Sequence, residues 1–373
     1  MDPAEKKMRE FGQLVVRLQQ GEDLTREESH EAYRQIWRNE QNELQQGAFI
    51  AAHRCKGPTV EELVGLTESH NEEWKLVFPD EVNGPEPHAG ILGVGMKGLK
   101  TPNVSSAAAV IAAACGAYVH KAGAPALTGV SGCHDAFVAW GVDTDISPAR
   151  NVEATRKCRL GFTSVIGKAL LSSGILRVVG QLRIGTCIHM GGPAAFHSGE
   201  RHKITGVPDP QMARLQIELM RELGYVRAMC PCGTATDTPG EYIDEFSNAG
   251  PTHVTELKED GSIEEYAVTP ADVGLVEVKY QDIQAAPSPE ENVRLGALVL
   301  AGKQGGPVLD LFALNAAAIL QLMDKAPSLK DGVEMARTAV TEGKALAQLE
   351  ALINAQNRDP EKGLTTLHTL IAD

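Results

Sequence analysis

Residues Gly93–Asp135 read GVGMKGLKTPNVSSAAAVIAAACGAYVHKAGAPALTGVSGCHD. Two glycine-rich loops flank a helix-forming run of small residues, and Asn103, Ser105 and Ser106 stand where the first loop enters that run. Backbone N–H groups at the start of a helix lack intrahelical partners and lie at the positive end of the helix dipole, so they attract anions. The stretch therefore predicts a site for a phosphorylated ligand.

The same stretch combines open backbone with positive charge. Gly93, Gly95 and Gly98 have no side chain that would keep a phosphate away from the main chain. Lys100 and Lys121 would balance the negative charge of the ligand. Glycines also mark ordinary turns, and the alanines that follow also fit a tightly packed helix. The residue pattern alone leaves both interpretations open.

Length and composition are those of a folded protein with a large core. The chain of 373 residues is long enough for one large domain and one smaller domain. Its formal net charge is −14, and aromatic residues make up 5% of the chain. Nucleic-acid-binding proteins usually combine a basic surface with stacking aromatic side chains. The charge therefore argues against a nucleic-acid partner.

Cysteine usage and apolar runs indicate the compartment. Seven cysteines are an odd number without regular spacing, which is typical of free thiols in a reducing compartment. The N-terminal residues are charged and lack the apolar core of a secretory signal. The longest apolar run, around Ala107–Gly116, is too short and too alanine-rich to span a bilayer. We expect a cytoplasmic protein with no membrane partner.

The N-terminal part of the chain predicts consecutive helices. From Glu5 to Leu76 apolar residues recur at helical spacing. Thr25 is followed by glutamate three residues later, and Thr59 repeats this spacing. Such spacing is the signature of a capping box at a helix N-terminus. A segment rich in proline, glycine, asparagine and aspartate, Pro79–Pro87, then indicates a linker.

Beyond the linker, short β-like runs alternate with helices, which predicts βαβ units and a mostly parallel sheet. The expected strands are Ile91–Gly93, Ala117–His120, Ile184–His189 and Val226–Cys230. We expect a helical stretch over Ala149–Val179, a hairpin turn at Asp260–Gly261, and closing helices over Pro287–Lys303, Asp310–Asp324 and Leu329–Asn354. Ligands of such sheets bind beyond the carboxyl ends of the strands.

These patterns predict an α/β protein with a small all-α N-terminal domain and a large α/β domain around a mostly parallel central sheet. We place the helical domain at residues 1–80, together with part of 149–180, and the α/β domain at residues 81–373.

Read in order, the segments resemble anthranilate phosphoribosyltransferase and its glycosyltransferase relatives, which include the pyrimidine nucleoside phosphorylases. The resemblance extends over nearly the whole chain. It is carried by LTREE, QGAFIAAHRCKG, EELVGL, GLKTPNVSSAAAVIAAACG, DEFSNAGPTHVTEL, TPADVGL, ENVRLGALVLAG and LNAAAIL. The run GLKTPNVSSAAA is close to the family's GLKTFNISTAAA and is the most specific of these segments.

The resemblance implies a two-domain phosphoribosyltransferase of tryptophan biosynthesis. Such an enzyme binds phosphoribosyl pyrophosphate (PRPP) between a small α domain and a large α/β domain, transfers phosphoribose to an aromatic or nitrogenous acceptor, and usually forms a homodimer. Its acceptor in the family is anthranilate. Its cofactor is Mg²⁺, a hard cation that suits carboxylates and phosphate oxygens.

The resemblance also implies roles for individual residues. Asp244 and Glu245 match the family's metal-binding pair, and with Lys121 they form the expected catalytic set. PRPP would be bound by residues of both glycine loops and the helix start: Gly93, Gly95, Lys97, Lys100, Asn103, Ser105, Ser106, Lys121, Gly123 and Ser131. The acceptor would be contacted by Arg177, Arg183 and His189. Displacing pyrophosphate from ribose needs positioning and charge stabilisation rather than a covalent nucleophile.

Two loops depart from the family pattern. The family's GTGGD loop reads GVGMK, so Met96 replaces a glycine and Lys97 replaces an acidic residue. We expect Lys97 to bind a phosphate oxygen directly and partly to replace a metal ion. The family's Lys-His-Gly-Asn loop reads Lys-Ala-Gly-Ala, so Ala122 and Ala124 replace the two side chains that contact the aromatic acceptor. A site without polar anchors should bind anthranilate weakly.

Three functions follow from these observations. The first is a phosphoribosyltransferase of the anthranilate type with an altered acceptor. The second is a nucleoside phosphorylase, although the Asp244–Glu245 pair favours the transferase. The third is a binding protein that kept the fold and lost catalysis. We favour the transferase.

Overall fold

A computed structural model describes residues 2–78, 83–96, 98–125, 130–165 and 173–372 of the chain. Lys97, for which the sequence predicts a phosphate contact, lies outside these residues. The described helices are α1 (Pro3–Gln19), α2 (Arg26–Trp37), α3 (Glu43–Lys56), α4 (Val60–Val77), α5 (Val104–Ala114), α6 (Cys133–Ala139), α7 (Pro148–Cys158), α8 (Gly174–Leu182), α9 (Ile188–Gly191), α10 (Pro210–Glu222), α11 (Pro289–Leu300), α12 (Pro307–Leu322), α13 (Leu329–Thr341), α14 (Lys344–Gln356) and α15 (Pro360–Ile371).

The central sheet is mostly parallel. Its strands are β1 (Ala89–Gly93), β2 (Val119–Gly123), β3 (Leu160–Ser164), β4 (His202–Gly206), β5 (Arg227–Thr234), β6 (Tyr242–Ile243), β7 (Thr252–Leu257) and β8 (Ile263–Val268). They follow the order β3-β2-β1-β4-β5-β7-β8, and β6 pairs with β5. Strands β1 to β5 pair in parallel with one another, whereas β6 and β7 pair antiparallel with β5, and β8 pairs antiparallel with β7. The predicted fold class is confirmed.

The described residues form two compact units. The helical unit draws on Met1–Glu81, Ile166–Phe196 and Glu218–Leu223. The α/β unit draws on Val82–Val165, His197–Ile217 and Gly224–Asp373. Residues 149–165, part of which the sequence analysis placed with the helices, therefore belong to the α/β unit.

Local capping explains why the N-terminal helices begin where the sequence predicts. Thr25 accepts a hydrogen bond from the Glu28 N–H, and the Glu28 carboxylate accepts one from the Thr25 N–H. Thr59 and Glu62 form the same reciprocal pair at the start of α4. Each box satisfies two backbone donors that the helix cannot satisfy itself.

The core of the α/β unit is built around α5 and α12, and both helices are almost wholly buried. Ala108, Ala109 and Ala112 of α5 are completely buried. Their short side chains let α5 pack closely against α12 and α14. This packing holds the start of α5 at the carboxyl end of β1, where the first glycine loop connects the two elements.

One predicted strand was wrong, and one strand was not predicted. Ile184–His189 is not a strand, because its backbone groups bond locally in turns: His189 donates to the Thr186 carbonyl and Met190 to the Cys187 carbonyl. Conversely, β3 lies inside the stretch expected to be helical. Gly161 weakens the strand signal in the sequence, because glycine is uncommon inside strands. In the structure a Cβ at this position would lie 2.2 Å from Thr155 Oγ1, which explains why a glycine stands here.

The predicted hairpin is confirmed, since β7 and β8 flank Asp260–Gly261 in antiparallel register. The C-terminal helices were predicted only in part. Leu329–Asn354 is two helices, α13 and α14, because Gly343 has a φ of 76° and ends the first of them. Helix α15 was not predicted. Among the described residues, no helix is long and apolar enough to cross a membrane.

A buried histidine lies on the sheet. His120 of β2 is 1% exposed, and its two ring nitrogens lie 2.9 Å from Thr155 Oγ1 and 2.9 Å from Thr163 Oγ1. Burial lowers the pKa of His120 from 6.5 to about 3, while the carboxylate of Glu200 opposes this shift and Lys203 adds to it. The folded protein therefore keeps this ring neutral in mildly acidic solution.

Lowering the pH should consequently destabilise the fold. The unfolded chain takes up a proton at His120 near its ordinary pKa of 6.5, whereas the folded chain does so only near 3. This stability is fully present above the unfolded pKa and is lost as the pH falls below it, by up to about 1.4 kcal/mol per pH unit. Urea unfolding between about pH 7 and about pH 4 measures the slope.

The matched variant is His120→Gln, which keeps a polar side chain but does not titrate. Its free energy of unfolding should fall less steeply with decreasing pH than that of the wild type. Equal slopes for the two proteins would show that His120 does not contribute to the pH dependence.

Candidate active site

An acidic pair follows the short strand β6. The Glu245 side chain is buried, and Asp244 is partly buried. Burial raises the pKa of Glu245 well above its ordinary value, and the neighbouring Asp244 raises it further. Burial also raises the pKa of Asp244, against the opposing effects of the Gly95 N–H and the Lys100 ammonium. Two adjacent carboxyl groups held out of water favour a cation that would stabilise their charged forms.

Two glycines make room for this pair. Gly93 at the end of β1 and Gly206 at the end of β4 are register partners. A Cβ on Gly206 would lie 1.6 Å from the Asp244 carbonyl oxygen, and a Cβ on Gly93 would lie 2.7 Å from Asp244 Oδ2. Only glycine fits at Gly206, where the clash is with backbone, whereas a side chain at Gly93 would displace the Asp244 carboxylate. The absence of both side chains lets the chain at Asp244 lie directly against the ends of two parallel strands.

The first glycine loop contacts the acidic pair through its backbone. The Gly95 N–H donates to Asp244 Oδ2 over 2.6 Å. At Gly98, which has a φ of 93°, a Cβ would lie 2.1 Å from the Tyr242 carbonyl oxygen. The next residue, Leu99, donates its N–H to that same oxygen over 2.7 Å. The loop therefore follows the backbone that leads into the carboxylates.

The start of α5 contacts the second carboxylate. Thr101 Oγ1 donates to Glu245 Oε2 over 3.1 Å. The backbone of Ser105 also forms a hydrogen bond that lowers the pKa of Glu245, in opposition to burial. Backbone donors that the sequence assigns to a phosphate thus bind the two carboxylates. This helix start therefore stabilises negative charge within the protein, and its binding of a phosphate stays a prediction.

Lys121 brings a buried ammonium group to the same place. Its side chain is completely buried, and Nζ donates to the Ile91 carbonyl over 2.8 Å and to Ser105 Oγ over 3.2 Å. Burial lowers the pKa of Lys121, while nearby Cys133 and Glu245 raise it. An anion beside this ammonium would offset the cost of its burial.

Lys100 lies in the connection between the glycine loop and α5. Its Nζ is 3.5 Å from the Gly95 carbonyl oxygen, and its charge lowers the pKa of Asp244. Its peptide is anchored by the Tyr280 hydroxyl, which accepts from the Lys100 N–H and donates to the Lys100 carbonyl, each over 2.9 Å. The backbone position of Lys100 is therefore set by a residue far away in sequence.

The second loop meets the first at Asn103 and Ser131. Asn103 is the N-cap of α5, but its side chain does not cap the helix. Instead, its amide donates to the carbonyls of Ser131 and Gly132, each over 3.2 Å, and its oxygen accepts from Ser131 Oγ over 2.8 Å. This contact joins the two loops that the sequence places on either side of one ligand.

Two further predicted residues border this region. Ser106 is completely buried, and its hydroxyl has no hydrogen-bond partner among the described residues. A Cβ on Gly123 at the end of β2 would lie 1.8 Å from Cys133 Sγ, so a side chain there would force that thiol to move.

The three residues predicted to contact the acceptor lie in the helical unit. Arg177 of α8 pairs with Glu43 and donates to Asn39 Oδ1, each over 2.5 Å. Arg183 ends α8 in a left-handed conformation with a φ of 51° and is exposed. His189 Nδ1 lies 3.1 Å from the Thr186 N–H, and burial lowers the pKa of this histidine.

Sequence reasoning missed Thr101, Gly206 and Asn292. Thr101 lies in GLKTPNVSSAAA, the segment most similar to the family, but was not assigned a role. Gly206 follows the β-like run HKIT, and a glycine at the end of a strand can indicate that another backbone approaches closely. Asn292 donates to both Asn103 and Ser131. No sequence pattern links Asn292 with residues more than a hundred and fifty positions earlier.

The donor chemistry of the site suits a divalent hard cation, although the described residues contain no cluster of three or more metal-ligating side chains. Mg²⁺ is usually held by one or two carboxylates together with ligand phosphates rather than by an all-protein cage. Asp244 and Glu245 supply carboxylate oxygens whose negative charge is not fully offset by the protein, since burial raises the pKa of both. They therefore fit a magnesium ion that also binds ligand phosphates.

Two family models match the chain. Residues 13–72 match the helical bundle domain of the glycosyl transferase family, and residues 86–346 match the a/b domain of the same family.

Curated relatives extend over nearly all of the chain. An anthranilate phosphoribosyltransferase of Methanosarcina acetivorans is 31% identical, over 93% of this chain and 90% of its own length. One from Anaeromyxobacter dehalogenans is 32% identical, over 91% of this chain and 97% of its own length.

Solved structures agree with the fold. Anthranilate phosphoribosyltransferase of Thermus thermophilus superposes with a TM-score of 0.77 at 27% identity, covering 95% of this chain and 99% of its own. The Saccharomyces cerevisiae enzyme, solved in complex with PRPP and Mg, has a TM-score of 0.77 at 21% identity over 93% of this chain and 98% of its own. The chain therefore belongs to the glycosyl transferase family, as a phosphoribosyltransferase enzyme of the anthranilate phosphoribosyltransferase type.

Proposed function

We propose that the protein transfers phosphoribose from PRPP, bound with Mg²⁺, to a small aromatic or nitrogenous acceptor. The observation that carries this proposal is the Asp244–Glu245 pair, of which Glu245 is buried and Asp244 partly buried, held against the start of α5 and beside the ammonium of Lys121. Carboxylates, helix N–H groups and an ammonium are the groups that a magnesium-bound diphosphate requires.

We propose that Asp244 and Glu245 hold the Mg²⁺, which would stabilise the charge that develops on the leaving pyrophosphate. Lys121 would pair with a phosphate oxygen. Its buried ammonium donates to two neutral groups, the carbonyl of Ile91 and the hydroxyl of Ser105, so a phosphate would add the negative charge that these partners lack. Gly93, Gly95, Lys97, Lys100, Asn103, Ser105, Ser106, Gly123 and Ser131 are proposed as the remaining PRPP-binding residues.

The acceptor is proposed to differ from that of the relatives, or to bind more weakly. Ala122 and Ala124, at and just after the end of β2, carry no polar group that could contact a carboxylated aromatic. Arg177, Arg183 and His189 are proposed acceptor contacts in the helical unit. Of these, Arg177 already pairs with Glu43, so it would have to exchange partners to reach an acceptor.

The other expectations from the sequence remain proposals: a helical and an α/β domain divided near residue 80, a homodimer, a cytoplasmic location and no nucleic-acid partner. The division of the described residues into a helical unit and an α/β unit supports the domain proposal. The net charge of −14 supports the proposal that the protein has no nucleic-acid partner.

The deciding experiment is calorimetry with PRPP and Mg²⁺, followed by a pyrophosphate-release assay with anthranilate and other aromatic amines and acids. Saturable, Mg²⁺-dependent PRPP binding and acceptor-dependent release of pyrophosphate are expected. Binding without release for any acceptor would favour a non-catalytic binding protein. Phosphorolysis of a pyrimidine nucleoside, without PRPP binding, would favour a phosphorylase.

Replacing Asp244 by Asn should reduce Mg²⁺-dependent turnover by about a hundredfold or more, because a neutral amide loses the charge that attracts the cation. Steady-state rates at several Mg²⁺ concentrations measure the change. Glu350→Gln, which removes a half-buried carboxylate paired with His368, is the matched control and should retain wild-type rates. Wild-type turnover in Asp244→Asn would remove this residue from the metal site.

Lys121→Met should separate function from stability. Burial disfavours the ammonium, so methionine of similar length should leave the unfolding midpoint unchanged or raise it. PRPP affinity should nevertheless fall about tenfold to a hundredfold, since a charge-assisted contact is lost. Lys157→Met, at an exposed lysine near Glu153, is the control. Unchanged affinity in Lys121→Met would exclude Lys121 as a phosphate ligand.

The double variant Ala122→His with Ala124→Asn should raise kcat/KM for anthranilate by about tenfold or more, because polar groups that match an acceptor discriminate strongly. The Kd for PRPP should stay the same, which controls for changes elsewhere in the site. An unchanged kcat/KM for anthranilate would show that this loop does not set acceptor choice.

A further inference from the structure

A buried asparagine lies behind the two proposed diphosphate loops. Asn292 in the first turns of α11 is 1% exposed. Its Oδ1 accepts from the Ala286 N–H over 3.0 Å. Because only the carbonyl end of a carboxamide accepts hydrogen bonds, this contact sets the orientation of the group. Its Nδ2 therefore donates to Ser131 Oγ over 2.8 Å and to Asn103 Oδ1 over 3.1 Å.

This orientation determines what the Ser131 hydroxyl can do. A hydroxyl has one proton, and Ser131 donates it to Asn103 Oδ1 over 2.8 Å. A phosphate oxygen has no proton to donate, so it can bind Ser131 only if the hydroxyl turns its proton away from Asn103. Asn103 Oδ1 keeps its second donor, Asn292, when this happens. When Ser131 turns its proton from Asn103 to the phosphate, no buried acceptor is left without a donor. The change is therefore inexpensive, because an unpaired buried acceptor would cost free energy.

The same part of the chain anchors the first loop. Tyr280 Oη accepts from the Lys100 N–H and donates to the Lys100 carbonyl, and Ala285 N–H donates to that carbonyl over 2.8 Å. The residue after Lys100 is Thr101, which donates to Glu245. The segment Tyr280–Asn292, which we call the anchoring segment, thus binds one loop at Lys100 and both loops at Asn103 and Ser131.

We propose that Asn292 and Tyr280 are positioning residues for the diphosphate of PRPP. Asn292 lets Ser131 redirect its proton to the ligand, and Tyr280 holds the peptide that precedes Thr101. Neither residue needs to touch the ligand. This inference rests on the proposed function, since it presupposes that Asn103 and Ser131 contact PRPP.

The test compares Asn292→Asp, Asn292→Ala and Tyr280→Phe by calorimetry with PRPP and Mg²⁺. An ionised aspartate cannot donate to Ser131, so Asn292→Asp should bind PRPP about tenfold more weakly at about pH 8. A buried aspartate without a cation has a raised pKa and regains one donor when protonated. Its affinity, relative to wild type at the same pH, should therefore recover at about pH 6. Asn292→Ala should stay weak at both values.

The comparison with wild type at each pH corrects for groups already near the site, which are Asp135 beside Gly132 and the helix residues Glu290 and Glu291. Tyr280→Phe removes only a hydroxyl and should weaken PRPP binding by about threefold to tenfold. Asn357→Asp and Tyr266→Phe are the matched controls. The Asn357 amide bridges Gly141 and Asp143, and the Tyr266 hydroxyl donates to Glu256.

Thermal unfolding midpoints separate positioning from a general loss of structure. If the control variants weaken PRPP binding as much as the Asn292 and Tyr280 variants, or if Asn292→Asp shows no recovery relative to wild type at lower pH, the inference is overturned. Normal PRPP binding by every variant overturns it as well and leaves the proposed function intact. A wild type that does not bind PRPP overturns both.

Discussion

The arrangement of the α/β unit depends on keeping two neighbouring carboxyl groups, Asp244 and Glu245, out of water at the ends of parallel strands. Burial raises the pKa of both groups, and the charge of Asp244 raises the pKa of Glu245 further, so the surrounding polar groups must offset that cost. These groups include the Gly95 N–H, the Ser105 backbone and the Thr101 hydroxyl. These donors come from one loop and one helix start, which are thereby drawn against the acidic pair.

The acidic pair also needs steric space at the ends of the strands. Gly93 and Gly206 lie side by side at the ends of β1 and β4, and a methyl group on either would collide with Asp244. The parallel register of the two strands therefore decides where the acidic pair can lie. The small side chains of α5 act in the same direction, because they let that helix pack deep in the core with its N-terminus directed at the site.

The chain combines the fold of its family with an unusual distribution of polar groups. Met96 and Lys97 stand in the first loop, and Ala122 and Ala124 in the second, where the resembling enzymes have other residues. Thr101 and the Ser105 backbone bind Glu245, and the Ser105 hydroxyl accepts from Lys121. Within the described part of the chain, these hydrogen bonds involve none of Met96, Ala122 and Ala124. Ala122 and Ala124 lie beside Lys121 and Gly123, which are proposed to bind the donor. The alanines would thus change the proposed acceptor contacts without removing a side chain proposed to bind PRPP.

Much of the fold was predictable from local patterns. Capping boxes place the starts of α2 and α4, the β-like runs at Ile91 and Val226 lie in real strands, and the ordered motifs identify the family. Local patterns failed where tertiary contacts competed with them. Strand β3 contains Gly161, which weakens its local signal, because α7 packs so close that no side chain fits at this position. Residues Ile184–His189 bond among themselves in turns instead of pairing with a strand.

The sequence by itself determined the fold class, the helix start that attracts negative charge, and the acidic pair as a candidate metal site. These properties depend on residue type and short spacing. Only the tertiary structure decided which groups meet: Asn292 with Asn103 and Ser131, Tyr280 with Lys100, and Gly206 with Asp244. Such contacts join residues far apart in the chain. Their geometry depends on strand register and helix packing, which no local pattern of residues encodes.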